Sequence, residues 1–248
     1  MLRWLLFRLM LSSAVAKLAS GDASWRDLTA LQYDYETQCL PPWTAWHMHH
    51  LPAWFHHLSA ALMFVVEGLV PFLIVAPRRI RFAAGAAVVG LQVLIWLTGN
   101  YGFFNLLAGA LCLLLLDDGV WPWRWRAARE ARMAAARAGD TPRRGGWPAW
   151  ILRPALSALF VLSLVPVLEA LHGPTRWMGP VPAVHRFVSP FRTVDRYGLF
   201  SVMTTRRPEI VIEGSADGTR WREYAFRWKP GDVRRRPAFV APHMPRLD

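Results

Sequence analysis

Five apolar stretches, to different degrees long enough to cross a hydrocarbon core, constrain this chain more than any other feature. A bilayer core asks for about 20 apolar residues in a helix. Leu2–Ser20 comes first, interrupted by Arg8 and Lys17. Trp54–Ala76 follows, with Glu67 inside it and Pro71 one turn later. Ile80–Gly99 and Phe103–Leu116 are third and fourth, the fourth short unless Trp121 and Trp123 mark its interface. Ala149–Leu171 is fifth and contains Pro154 and Pro166. A signal peptide is excluded for Leu2–Ser20, because Arg8 and Lys17 break the apolar region and no small-residue cleavage pattern follows.

Composition agrees with a membrane. Of 248 residues 54% are hydrophobic and 14 are Trp, and Trp prefers the lipid–water boundary. The net charge of +12 raises the question of nucleic acid. The arginines lie beside apolar spans, however, where an anionic lipid surface accounts for them more simply. All basic residues except Lys17 and Lys229 are Arg, which suggests a GC-rich, bacterial genome and an inner-membrane location. Cys39 lies in a polar loop and Cys112 in an apolar run, so no disulfide framework is expected.

Arginine placement sets an orientation. Arg78, Arg79 and Arg81 lie between the second and third spans, and Arg124, Arg126, Arg129, Arg132, Arg137, Arg143 and Arg144 between the fourth and fifth. Both connections face the cytoplasm under the positive-inside rule. The expected organisation is an α-helical polytopic membrane region of about five spans over residues 1–171. It has an outward loop at 21–53 and a cytoplasmic connector at 117–148, of which Arg132–Gly146 reads as amphipathic or disordered. Residues 172–248 form a small, shortened β-rich extracytoplasmic domain. There Glu209–Glu213 alternates, Ser215-Ala-Asp-Gly218 signals a turn, and Arg222–Trp228 puts Tyr224, Phe226 and Trp228 on one face of a strand.

A set of motifs in order along the chain resembles the lipase maturation factor family. They are the run from Leu2 to Gln38, His49-His50-Leu-Pro-x-Trp-Phe-His56, Pro77-Arg-Arg79 and Thr98-Gly-Asn-Tyr-Gly-Phe-Phe-Asn105. Leu116-Asp-Asp118, Arg196-Tyr-Gly-Leu-Phe200, Pro208-Glu-Ile-Val-Ile-Glu-Gly-Ser215, Lys229-Pro-Gly-Asp232, Phe239-Val-Ala-Pro-His243 and Pro245-Arg-Leu-Asp248 continue it, with an interruption at Arg124–Leu162. The resemblance implies a polytopic membrane protein that brings secreted clients such as lipases to their active assembled form, in the endoplasmic reticulum of animals. It also implies a chaperone-like rather than enzymatic role. Members usually carry membrane-embedded sequence before the counterpart of Leu2 and a Trp-rich continuation after Pro245-Arg-Leu-Asp248. More distantly, Ala16-Lys17-Leu18 followed by Trp25 is similar to the stretch around the catalytic lysine of vitamin K-dependent carboxylases. That implies an alternative, an enzyme acting on a lipid-soluble substrate with Lys17 as base.

The polar residues inside the spans are the candidate chemistry. Lys17 near a helix end is either a desolvated base or a snorkelling ammonium. An ionised Glu67 costs about 2.5–3.5 kcal/mol at mid-span on insertion scales, so it is expected to be protonated, paired or facing a cavity, with Arg8 a candidate partner. Lys17 and Glu67 are the catalytic candidates; Arg8, Asn100 and Asn105 are read as structural polar residues, the asparagines as helix caps. Trp25, Asp27, Tyr33, Tyr35 and Glu36 make an aromatic–acidic loop suited either to holding a client or to packing on the β domain. His47, His49, His50, His56 and His57 match no metal signature. Arg234–Arg236 reads as a solvated basic run. No nucleophile elbow, phosphate loop, cofactor motif or nucleic-acid module is present.

Overall fold

The computed structural model describes residues 1–38, 41–99, 101, 103–120, 122–138, 147–173, 176–192, 194–195, 198, 200–226 and 231–239. In chain order its helices are α1 (Leu2–Ala19), α2 (Ala23–Arg26), α3 (Ala30–Thr37), α4 (Trp43–His49), α5 (Ala53–Phe64), α6 (Arg78–Thr98), α7 (Phe103–Cys112), α8 (Trp123–Ala138), α9 (Ala149–His172) and α10 (Val181–Val188). A two-stranded ribbon, β1 (Glu213–Gly214) and β2 (Arg222–Glu223), lies near the end. Prolines set many of the starts. Pro42, Pro52, Pro77, Pro148 and Pro180 stand immediately before α4, α5, α6, α9 and α10. Proline cannot extend a helix behind it, and its fixed φ leads into one ahead.

The second span is not a uniform helix. α5 passes into a π turn at Val65–Leu69 and then a 3-10 segment at Val70–Val75. In an α-helix the carbonyl of Glu67 would accept from residue 71, but Pro71 has no N–H and its ring crowds that carbonyl. The backbone widens before the proline and tightens after it, and Glu67 sits in the wide turn. This is where π geometry most often serves a purpose.

Among the described residues three helices are long and apolar enough to cross a membrane: Ala53–Val75, Arg78–Thr98 and Ala149–His172. Of the other two expected spans, α1 has 18 residues and carries Arg3, Arg8 and Lys17. Phe103–Leu115 is apolar but shorter. The distribution of side chains is inverted relative to a water-soluble bundle. Leu62, Leu69, Phe72, Leu94, Leu106 and Phe160 are exposed, while Lys17, Glu67, Gln92, Asn105 and Ser163 are buried. Water would not tolerate so much exposed apolar surface, and lipid does. The chain is an integral membrane protein.

α1 is the helix around which the others assemble. Its Leu6 and Met10 meet Ile74, Val88, Leu111 and Leu115 in the main apolar core. Trp4 donates to Ser163 Oγ at 2.7 Å and packs on Phe160, closing the seam with α9. At one rim the motifs around Arg78 and Asp117 prove to be one contact. Arg78 pairs with Asp117 at 2.8 Å, and Arg81 donates to Leu115 O at 2.9 Å. A Cβ at Gly119 would fall 2.6 Å from Arg78 Nη2, the end of a flexible side chain that would have to shift.

Within residues 21–53, the connection between the first two apolar stretches, the described residues form α2, α3 and α4. The C-terminal region contains, among the described residues, a short two-stranded ribbon where the hairpin was expected. Glu213 pairs with Glu223 and Gly214 with Arg222, and Tyr224 N donates to Ile212 O one step further. Trp228 lies outside the described residues. A lone two-stranded ribbon has little to bury, so its ladder is short. The turn is the expected one: Asp217 accepts from the Arg220 and Thr219 N–H groups. These bonds, with Ser215, push its carboxyl down to about 2.

Candidate functional site

Ser13 and Lys17 are one helical turn apart and share a face of α1. That face is turned toward the π turn. Lys17 Nζ donates to Glu67 Oε2 at 2.6 Å and to Ser13 Oγ at 2.8 Å. Both side chains are 5% exposed. Close helix approach permits this, with a Cβ on Gly68 standing only 3.6 Å from that of Ala14. The Trp25 ring centroid lies 5.4 Å from Nζ, so its π face covers the ammonium. Lys17 therefore does not snorkel: a carboxylate lies within reach and α2 covers the end of its helix.

Arg8 is not the partner of Glu67. Its guanidinium donates to Asp195 O at 3.0 Å and Ser163 O at 3.5 Å. The reason is geometric. Nine residues at about 100° each put Arg8 and Lys17 on opposite faces of α1, so one carboxylate cannot meet both.

A roof closes over the ion pair. Trp25 is buried with Ala30, Met63 and Met203, with Tyr33, Phe64, Leu91 and Phe200 packed around it. Its indole N–H donates to Phe200 O at 2.9 Å. Asp22 accepts from Ser24 N at 2.8 Å, capping α2, and from Met203 N at 2.6 Å. Burial opposes ionisation of Asp22, but these bonds outweigh it and hold the carboxyl below its ordinary value. Gly198 lets the C-terminal segment approach α1, since a Cβ there would stand 2.8 Å from that of Ala16. Tyr101 stacks edge-on against Phe200 and donates to Asp34 at 3.3 Å. The motifs ending at Gln38, Asn105 and Phe200 thus meet in one place.

Beside this roof is an open groove of about 250 Å³ between α3–α4 and the C-terminal segment. Its lining includes Tyr35, Glu36, His49, Arg207, Asp232 and Arg235. Arg207 donates to Glu36 O at 3.3 Å and pairs with Glu209 at 2.6 Å. His49 lies 3.6 Å from Glu36. Trp46 donates to Val233 O at 2.7 Å and fastens the two walls. Tyr35 is buried at the base, where burial and neighbouring Asp34 push its phenol above the usual range.

The five residues of the aromatic–acidic segment thus separate. Tyr35 and Glu36 line the groove, Trp25 is turned inward, Tyr33 packs beside Trp25, and Asp27 is exposed. Asn105 is not a helix cap. It is buried between helices and donates to Gln92 O at 3.0 Å. Asn100 lies outside the described residues. The histidines take separate partners, among them Glu36 for His49, Trp46 O for His50, Leu51 O for His56 and Gln32 for His57. Among the described residues no group of three or more His, Cys, Asp or Glu could hold a metal ion. Sequence reasoning passed over Ser13, Asp22 and Gly198. The one-turn spacing from Lys17 would have found Ser13; the other two act through contacts with distant parts of the chain.

The chain matches the family of the Lipase maturation factor transmembrane domain over residues 1–123 and that of the Lipase maturation factor C-terminal domain over residues 193–248. Lipase maturation factor 2 of Mus musculus and of Homo sapiens are each 36% identical to it, with 100% of this chain and 48% of theirs aligned. Lipase maturation factor 1 of Bos taurus is 34% identical, over 99% of this chain and 45% of its own. The chain spans about half the length of the curated relatives it matches. No solved structure matches it.

Proposed function

This chain belongs to the lipase maturation factor family, and on that premise we propose that it is a membrane-embedded maturation factor for exported proteins, lipases among them. The observation that carries the reading is the groove between α3–α4 and the C-terminal segment. It is open, it is lined by charged and aromatic groups from two distant parts of the chain, the α3–α4 wall bonds to α6 through Gln38 and Thr44, and the C-terminal segment bonds to α1 through Arg8. Such a surface can hold an extended client segment by hydrogen bonds and aromatic contact without doing chemistry on it.

In this reading about five spans cross the membrane, and residues 21–53 and 172–248 share the compartment opposite Arg78–Arg81 and the 117–148 connector. Reporter fusions at Gln38 and Ser215 should report the same side; opposite sides would overturn the topology. Lys17 and Glu67 serve here as the fastening beneath the groove rather than as base and acid. Deleting the gene should lower the activity and assembly of secreted lipases or esterases. Unaltered activity and assembly across the exported hydrolases would remove the proposal.

A further inference from the structure

No described side chain of helix α8 is buried. Every described side chain from Pro122 to Ala135 is exposed, including Trp123 at 74% and Trp125 at 59%. At 16 residues α8 barely exceeds the length, about 12–15 residues, below which even alanine-rich isolated helices are marginal in water. It needs a surface to lie on.

Its position indicates which surface. The Asp118–Val120 turn and the Arg78–Asp117 ion pair hold its start at the rim where Arg3 and Arg81 also sit. Trp147 and Trp150, at the entry to α9, are exposed as well. Tryptophans at the ends of apolar helices mark the lipid–water boundary. Helical spacing puts Trp123, Ala127, Ala131 and Ala134 along one stripe. Arg129 and Arg132 lie on the opposite face with Trp125 between them, and Arg126 stands beside Trp123 at the edge of the stripe.

We infer that α8 lies in the plane of the membrane, on the Arg78–Arg81 side, with anionic phospholipid headgroups as its partner. The charge supports this: Arg124, Arg126, Arg129 and Arg132 face a single acid, Glu130. Alanine contributes little apolar area, so the attraction is mainly electrostatic and depends on lipid composition. An acidic protein would satisfy the arginines but would leave the boundary tryptophans unexplained. Apart from Trp123, the last residue of the first family match, α8 lies outside both matches.

Amide hydrogen exchange on the full chain in nanodiscs tests the proposal. With phosphatidylglycerol mixed into phosphatidylcholine, amides of 123–138 should exchange about tenfold or more slowly than in phosphatidylcholine alone. High salt should erase the difference. The triple replacement Arg126→Gln/Arg129→Gln/Arg132→Gln should erase it too, while α6 amides stay unchanged and report that the bundle is folded. Equal exchange in the two lipids overturns the inference. Protection that survives the triple replacement, or that is present in phosphatidylcholine alone, overturns it as well and points to packing on protein.

Discussion

The interior pair and the groove use the same chemistry, a basic side chain against a carboxylate, in opposite surroundings. Lys17 and Glu67 are nearly dry and enclosed by α1, the π turn and Trp25. His49 and Glu36 are 24% and 32% exposed and lie farther apart, at 3.6 Å. Removing one partner of a dry pair strands a charge in a low dielectric, whereas water takes up the slack around a wet one. The interior pair should therefore matter to folding and the groove pair to binding.

The largest effect is expected inside. Lys17→Ala or Glu67→Ala should lower unfolding stability by about 3–5 kcal/mol, read by denaturant titration in micelles. The double replacement Lys17→Met/Glu67→Leu removes both charges and should recover most of the loss. If client maturation also returns in the double variant, the pair is a fastening. If stability returns and function does not, the pair does chemistry and the contrast with the groove breaks.

Next in size is the contact that joins the two regions. Gly198→Val would force side-chain atoms into Ala16 and should cost about 1–3 kcal/mol. Ala16→Gly in the same chain should restore part of it. Exchange at Met203 N–H would report whether the segment has lifted from α1.

Acid should act on that junction through Asp22. The Asp22 carboxyl is held below its ordinary value in the folded state, so its contribution is fully present above the unfolded value, about 3.9. It is lost as pH falls through the depressed folded value. Exchange at Met203 N–H should rise over that window, and Asp22→Asn should flatten the pH dependence. An unchanged profile in the variant would free the clasp from any role in docking the C-terminal segment.

How much of this was legible in the sequence follows from range. The apolar runs and their prolines are local signals, and they place α5, α6 and α9 well. Glu67 was visible as a misfit in a span, and Pro71 four residues later marks where the helix had to widen. Its partner was not visible: Arg8 and Lys17 are both basic residues of one helix, and only rotation about α1 separates them. The covering of the pair by Trp25 and Phe200 joins residues 175 positions apart, which no periodicity reveals. The C-terminal alternation covers more residues than pair among the described ones, because the pattern records which faces could be buried and not whether a neighbour is there to bury them.

The smallest stability effect, and the sharpest for function, belongs to the groove. Glu36→Gln keeps the size of the side chain and removes a half-exposed charge. Since Arg207 donates to the backbone carbonyl of Glu36 rather than to its carboxylate, that wall contact survives the change. Stability should therefore move by less than about 1 kcal/mol. Client capture should fall, measured as secreted lipase activity per unit of membrane-inserted protein. Trp46→Phe supplies the complementary case, since it removes the indole N–H that bonds Val233 O and loosens the wall without altering charge. A drop in capture for both variants, at nearly constant stability, locates the holding surface here. Full capture by both would move it elsewhere and leave the interior pair as the only polar feature of the two with a measurable role.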